Sequence, residues 1–210
     1  MIDKGLYDHA VETFSRVIGE ESGLYIAYRE RALAYLNLGR YDEALDDCNT
    51  SLEIYKKDYN TILLRATLYH QIGEFDLAID DCEYAISIYP NFATAYAVRA
   101  MINYDLDKYL MVIQDCNKAI SIHDNFALPY YLRGLVSYQA GLRDAEFLEE
   151  AIADFSRAIE IEPDGFQAYY YRGLAHKVLG EFQKANLDFE HIVNFSSDMS
   201  LVLLAKKEIE

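Results

Sequence analysis

Self-similarity at a period of 34 residues constrains this chain more than any other feature. A glycine recurs at Gly5, Gly39, Gly73, Gly141 and Gly180, with Asp107 standing in once. An aromatic ring follows two residues later at Tyr7, Tyr41, Phe75, Tyr109 and Phe182, and a small residue at Ala10, Ala44, Ala78, Ala151 and Ala185. The unit is clearest from Tyr59 to Phe92. Its first half places Ile62, Arg65, Ala66 and Tyr69 on one helix face, at i, i+3, i+4, i+7. Its second half runs Phe75, Ala78, Cys82, Ala85, Ile86 at helical spacing and stops at Pro90. Between them, Gly73 can end a helix in the left-handed conformation. Each unit is therefore a helix, a tight turn and a second helix. Neither helix is long enough to bury its apolar stripe alone, so stacked neighbours must supply the core.

The pattern resembles the tetratricopeptide repeat, whose signature over 34 residues is a large residue, Leu-Gly, Tyr, a turn Gly, Ala, Phe, Ala and Pro. The matching residues are Tyr96, Ala100 (in place of the Gly), Tyr69, Ala78, Phe155, Ala158 and Pro163. The resemblance covers essentially the whole chain. It implies an all-α fold, a right-handed superhelical solenoid of antiparallel helix pairs. The expected organisation of residues 1–210 is a half repeat at 1–24, full repeats at 25–58, 59–92, 93–126, 127–165 and 166–199, and a capping helix at 200–210. In 93–126, Asp107 must take over the left-handed turn, which Asp tolerates better than most residues. The five extra residues of 127–165 are expected in the turn between its two helices, around Gly141 to Glu150.

Composition narrows the function classes. A formal charge of −16 disfavours nucleic acid and anionic membrane surfaces, because phosphates would be repelled. No apolar run is long enough to span a bilayer. The start, MIDKGLYDHAVETF, lacks a signal-peptide layout, which makes a cytoplasmic location the expectation. Cys48, Cys82 and Cys116 recur at the repeat spacing, where Phe14, Phe155 and Phe189 stand in other units. They read as buried small apolar residues in a reducing compartment. His9, His70, His123, His176 and His191 occupy scattered unit positions, so neither a metal nor another cofactor is expected. No nucleophile elbow, phosphate loop or poised carboxylate pair is present, and an enzyme is not expected.

Two recurring charges invite pairing. Arginine recurs at Arg31, Arg65, Arg99, Arg133 and Arg172, and aspartate at Asp47, Asp81, Asp115, Asp154 and Asp188. The arginines share a helix face with core residues, so their guanidinium groups should seek carboxylates of the same or the adjacent unit.

The outer face of each first helix, away from its core residues, carries the functional expectation. Leu63, Met101, Tyr104, Tyr131, Leu135, Tyr138, Tyr170 and Leu174 hold equivalent angular positions there, and no acidic residue interrupts them. A solvated helix face is mostly polar. In tetratricopeptide repeats the first helices line a concave groove where partner segments dock, so the resemblance implies a non-catalytic protein-interaction module. The groove residues imply a protein or peptide partner with apolar or aromatic anchors. The two-carboxylate clamp of some family members needs basic residues that are missing: of Arg29, Leu33, Leu64, Thr94 and Val98, only Arg29 qualifies. Two alternatives stand beside this reading. One is a self-assembling scaffold that associates through the terminal half repeat, and the other is the targeting arm of a larger enzyme.

Overall fold

In the computed structural model, which describes residues 4–209, every regular element is a helix and no strand is formed among the described residues. The elements in order are α1 (Lys4–Glu20), α2 (Tyr25–Leu38), α3 (Tyr41–Ile54), α4 (Tyr59–Ile72), α5 (Phe75–Ile88), α6 (Ala93–Asp105), α7 (Tyr109–Ile122), α8 (Ala127–Gly141), α9 (Glu146–Ile161), α10 (Phe166–Val178), α11 (Phe182–Phe195) and α12 (Met199–Ile209). Short connections fold α2 onto α3, α4 onto α5, α8 onto α9 and α10 onto α11 as antiparallel pairs. The contacts divide the chain into two compact units, residues up to Ile102 and residues from Asn103, with the boundary inside α6.

The turns follow from backbone chemistry. Gly39, Gly73 and Gly180 have φ of 75°, 85° and 76°, and Asp107 adopts 56° as the one described non-glycine at positive φ. Each satisfies the end of its helix in the same way. The Gly73 N–H donates to the carbonyl of His70 at 3.1 Å and the Glu74 N–H to that of Tyr69 at 2.8 Å, and Asp107 with Lys108 repeats the pair onto Tyr104 and Asn103.

Two expected turn glycines behave differently. Gly5 lies inside α1, and Gly141 is the buried last residue of α8. A Cβ on Gly141 would stand 2.5 Å from the Leu148 side chain, so close approach rather than a left-handed turn requires glycine there. The extra residues of this repeat are also not confined to the turn. They lengthen α8 to 15 residues and α9 to 16, against 14 each in α2 and α3, and leave 142–145 as the connection. Leu148 is fully buried, and that burial holds the added turn of α9 in place.

The recurring charges form a ladder. Arg65 donates from Nε and Nη2 to both carboxylate oxygens of Asp81 at 2.8 Å each. Arg31 does so to Asp47, Arg133 to Asp154 and Arg172 to Asp188, always bidentately and always within one repeat. The remaining Nη1 reaches back to the preceding second helix: Arg31 to Ser15 Oγ, Arg65 to Asn49 Oδ1, Arg133 to Asn117 Oδ1 and Arg172 to Ser156 Oγ. Arg99 stands 3.6 Å from Glu83, which holds the corresponding place. The aspartates are nearly buried, so each guanidinium both neutralises a desolvated carboxylate and ties neighbouring second helices together.

Candidate partner-binding site

Around the first helices of the first unit, polar pairs are already engaged. Arg29 donates from Nη2 to Glu30 Oε1 at 2.8 Å and from Nη1 to Asp58 Oδ2 at 3.1 Å, and Asp58 also accepts from the Thr61 hydroxyl at 2.6 Å. The one basic residue at a clamp position is therefore committed to carboxylates of its own chain. Leu63 lies in this unit with only 7% of its surface exposed, so it supports the helix face from below and offers little surface. Met101, near the end of α6, is half-buried.

In the second unit tyrosines stand on the same helix face. Tyr104, Tyr131, Tyr138, Tyr170 and Leu174 are all half-buried, while Leu135 is buried, at 5% exposure. What gathers the rings is Tyr171, one residue off the stripe. Its centroid lies 6.2 Å from Tyr131, 5.9 Å from Tyr138, 5.6 Å from Tyr170 and 6.0 Å from Phe155, and the three tyrosine pairs meet edge to face. Gln139 Nε2 donates to the Tyr104 hydroxyl at 2.8 Å, joining the end of α6 to α8. Tyr171 lies outside the stripe, at a repeat position that carries Glu30, Leu64, Val98 and Leu132 in the other units. The run Tyr169-Tyr170-Tyr171 is the one signal that could have drawn attention to it.

Burial sets the electrostatics of these phenols. It pushes Tyr131 up most strongly, with nearby Tyr171 and Tyr104 adding to the effect. Tyr138 and Tyr170 are likewise raised, first by burial and then by neighbouring tyrosines and Glu208. Tyr104 is raised by burial and by Tyr171. Every one of these hydroxyls is thus neutral at physiological pH and able to donate a hydrogen bond. At the far end of the tyrosines, Lys177 Nζ donates to the carbonyl and to Oε2 of Glu208 in α12, both at 2.9 Å. Tyr170 and Leu174 also pack against the cluster that buries Leu201, Val202 and Ala205 of α12.

Beside Tyr131 a cavity of about 350 Å³ opens between α8 and α10, above the C-terminal end of α9. Its walls are Leu128, Tyr131, Ala158 and Ala168, and Glu162 and Gln167 bring polar groups to it. No cluster of His, Cys, Asp and Glu suited to a metal ion exists among the described residues, and none of their helices is long and apolar enough to cross a membrane.

Comparison with known proteins gives this helix-turn-helix arrangement its class. Family models of the tetratricopeptide repeat match residues 25–58 and 59–92, and a further TPR-repeat model matches 142–180. The chain belongs to the tetratricopeptide repeat family, whose repeats serve as protein-interaction modules.

Solved structures agree on the fold. A tetratricopeptide repeat protein from Parabacteroides merdae superposes with a TM-score of 0.74 at 20% identity, over 99% of this chain and 80% of its own. Yeast Tom70 gives 0.78 at 16% identity over 94% of this chain, which spans 42% of the Tom70 chain. YrrB, described as a TPR protein with an unusual peptide-binding site, gives 0.62 at 19% identity, covering 94% of this chain and 99% of YrrB.

Proposed function

We propose that the chain is a non-catalytic binding module that takes a peptide or helix of a partner protein on the first helices of its second unit, in the cytoplasm. The observation that carries this reading is the tyrosine group: Tyr104, Tyr131, Tyr138 and Tyr170 sit half-buried around Tyr171, next to an open apolar cavity. Half-buried, mutually packed rings keep few rotamers to lose and still present aromatic area and a hydroxyl, the profile of a binding hot spot. Leu174 adds an aliphatic surface, and Leu135 holds the floor. Met101 and Leu63 belong to the first unit, and any part they play there is secondary to the tyrosines. The peptide-binding site of YrrB supports the reading by likeness of fold. The buried thiols of Cys48, Cys82 and Cys116 suit a reducing compartment.

Affinity capture from an extract of the source cell, followed by titration of the captured protein, tests the site. Tyr131→Ala with Tyr138→Ala should weaken binding at least tenfold, about 1.4 kcal/mol, with the helical circular dichroism signal retained. If that double variant captures its partners as before, and Asp or Glu substitutions on the second helices abolish capture, the acidic face is the site instead.

A further inference from the structure

The cavity beside Tyr131 lies at repeat positions where two other repeats pack a pair of rings. In the repeat at 25–58, the residue that opens the first helix, Tyr25, packs on the residue that ends the second, Tyr55, with centroids 5.0 Å apart. In the repeat at 59–92, Tyr59 and Tyr89 do the same at 5.1 Å. The corresponding residues of the repeat at 127–165 are Ala127 and Glu162, and both line the cavity. Where those two repeats hold two aromatic rings, this one holds a methyl group and a carboxylate at the edge of an open space.

The chemistry of that space is one-sided. Leu128, Tyr131, Ala158 and Ala168 form apolar walls, and Glu162 supplies the one ionisable side chain other than the Tyr131 phenol. Glu162 is the C-cap of α9, whose last turn contains no basic residue, so the negative end of the helix dipole adds to the carboxylate. Among the described residues no cation pairs with the Glu162 side chain, and the whole chain carries −16.

We propose that this cavity is an anchor subsite for an arginine or lysine side chain of the partner segment. Its methylene stem would lie along Leu128, Ala158 and Ala168, its cationic head would meet Glu162 and the end of α9, and the Tyr131 ring face would add a cation–π contact. The inference rests on the binding reading above only in assigning this side chain to a partner. It makes that partner amphipathic, with a basic anchor set beside apolar or aromatic ones.

The test uses the full chain and three small probes: N-acetyl-arginine amide, N-acetyl-norleucine amide and N-acetyl-glutamate amide, titrated while NMR signals of Ala127, Leu128, Ala158 and Ala168 are followed. Saturable shifts at these residues are expected with the arginine probe, at least fivefold weaker binding with norleucine, and none with glutamate. Glu162→Gln should weaken arginine binding at least fivefold and leave norleucine binding unchanged. Refilling the space with Ala127→Tyr and Glu162→Tyr should abolish both, with circular dichroism confirming the fold. Equal binding of arginine and norleucine, or arginine binding indifferent to Glu162→Gln, overturns the subsite. Because these titrations need no partner, their outcome is separate from the capture experiment. Loss of capture in the tyrosine variant without arginine binding leaves the tyrosine site standing and removes the subsite.

Discussion

The repeats between residues 25 and 92 and those between 127 and 199 fill the same inter-helix space with different volumes. In the earlier pair, Ala32 and Cys48 share one buried cluster with Ala44 and Leu68, and Ala66 and Cys82 hold the equivalent positions, fully buried. In the later pair the first helix carries Gly134 or Gly173 and the second carries Phe155 or Phe189. A Cβ on Gly134 would lie 2.8 Å from the Phe155 ring, and one on Gly173 would lie 2.7 Å from the Phe189 ring. A methyl with a thiol in one region does the work of a hydrogen with a benzyl group in the other. Packing density is what the fold demands, and the two positions meet it only together. The difference also has an electrostatic side. The thiol region contains a titratable group where the benzyl region contains none.

The largest expected effect breaks the comparison outright. Phe155→Ala or Phe189→Ala should cost about 3–5 kcal/mol by leaving a ring-sized cavity, whereas Cys82→Ala removes one sulfur atom and should cost a small fraction of that in urea unfolding. Equal losses would mean that the rings do not set the packing of the later repeats.

A subtler exchange sharpens it. Gly134→Ala alone should destabilise by about 1–3 kcal/mol through overpacking, against the roughly 1 kcal/mol that helix propensity favours Ala over Gly. In a Phe155→Cys background the same substitution should become neutral or stabilising, since it rebuilds the Ala–Cys pair. Strong non-additivity between the two changes is therefore expected, and simple additivity would refute the paired-volume account.

The ladder should behave alike in both regions. Asp81→Ala strips the half-buried Arg65 of a bidentate partner and should cost about 1–3 kcal/mol, as should Asp188→Ala with Arg172. Asp80→Ala, on the exposed neighbour of Asp81, should stay within about 0.5 kcal/mol. Matching midpoints for the Asp80 and Asp81 variants would reduce the ladder to a repeating ornament of sequence.

The smallest effect concerns pH. Burial pushes the Cys48 thiol from 9.0 up to about 12. Its folded value lies above its unfolded one, so its contribution to stability is fully present below about pH 9 and fades as pH rises toward 12. Cys48→Ala should make the loss of stability between pH 7 and 10.5 less steep, and native Cys48 should resist disulfide reagents at pH 8 until urea opens the helices. Rapid native labelling would show that the thiol is not enclosed.

Much of this was legible in the chain itself. The left-handed turns at Gly39, Gly73 and Gly180 and the substitute at Asp107 follow from the local cost of positive φ. The need of these arginines for carboxylates follows from charge recurring on core-facing positions, while the choice of the same rather than the adjacent repeat by Arg31, Arg65, Arg133 and Arg172 came from the structure. The fate of Gly141 was not legible. A glycine at turn register looks the same whether a positive φ or a close approach requires it, and only the position of Leu148 distinguishes them. Leu63 and Leu135 show the same gap. Angular position on a helix names a face, but how much of that face stays in contact with water depends on the neighbours that pack over it.

By itself, then, the sequence determined the helix-turn-helix unit, the left-handed turns at Gly39, Gly73, Asp107 and Gly180, and the recurring charges that must find partners. Those properties arise within one repeat, from backbone sterics and hydrophobic periodicity over a few tens of residues. Only the tertiary structure decided which tyrosines converge, with Tyr171 gathering Tyr131, Tyr138 and Tyr170, and that Ala127 and Glu162 leave a space beside them. Convergence and vacancy are properties of several helices at once. They depend on side-chain volumes brought together from separate repeats, and a single helix face does not contain that information.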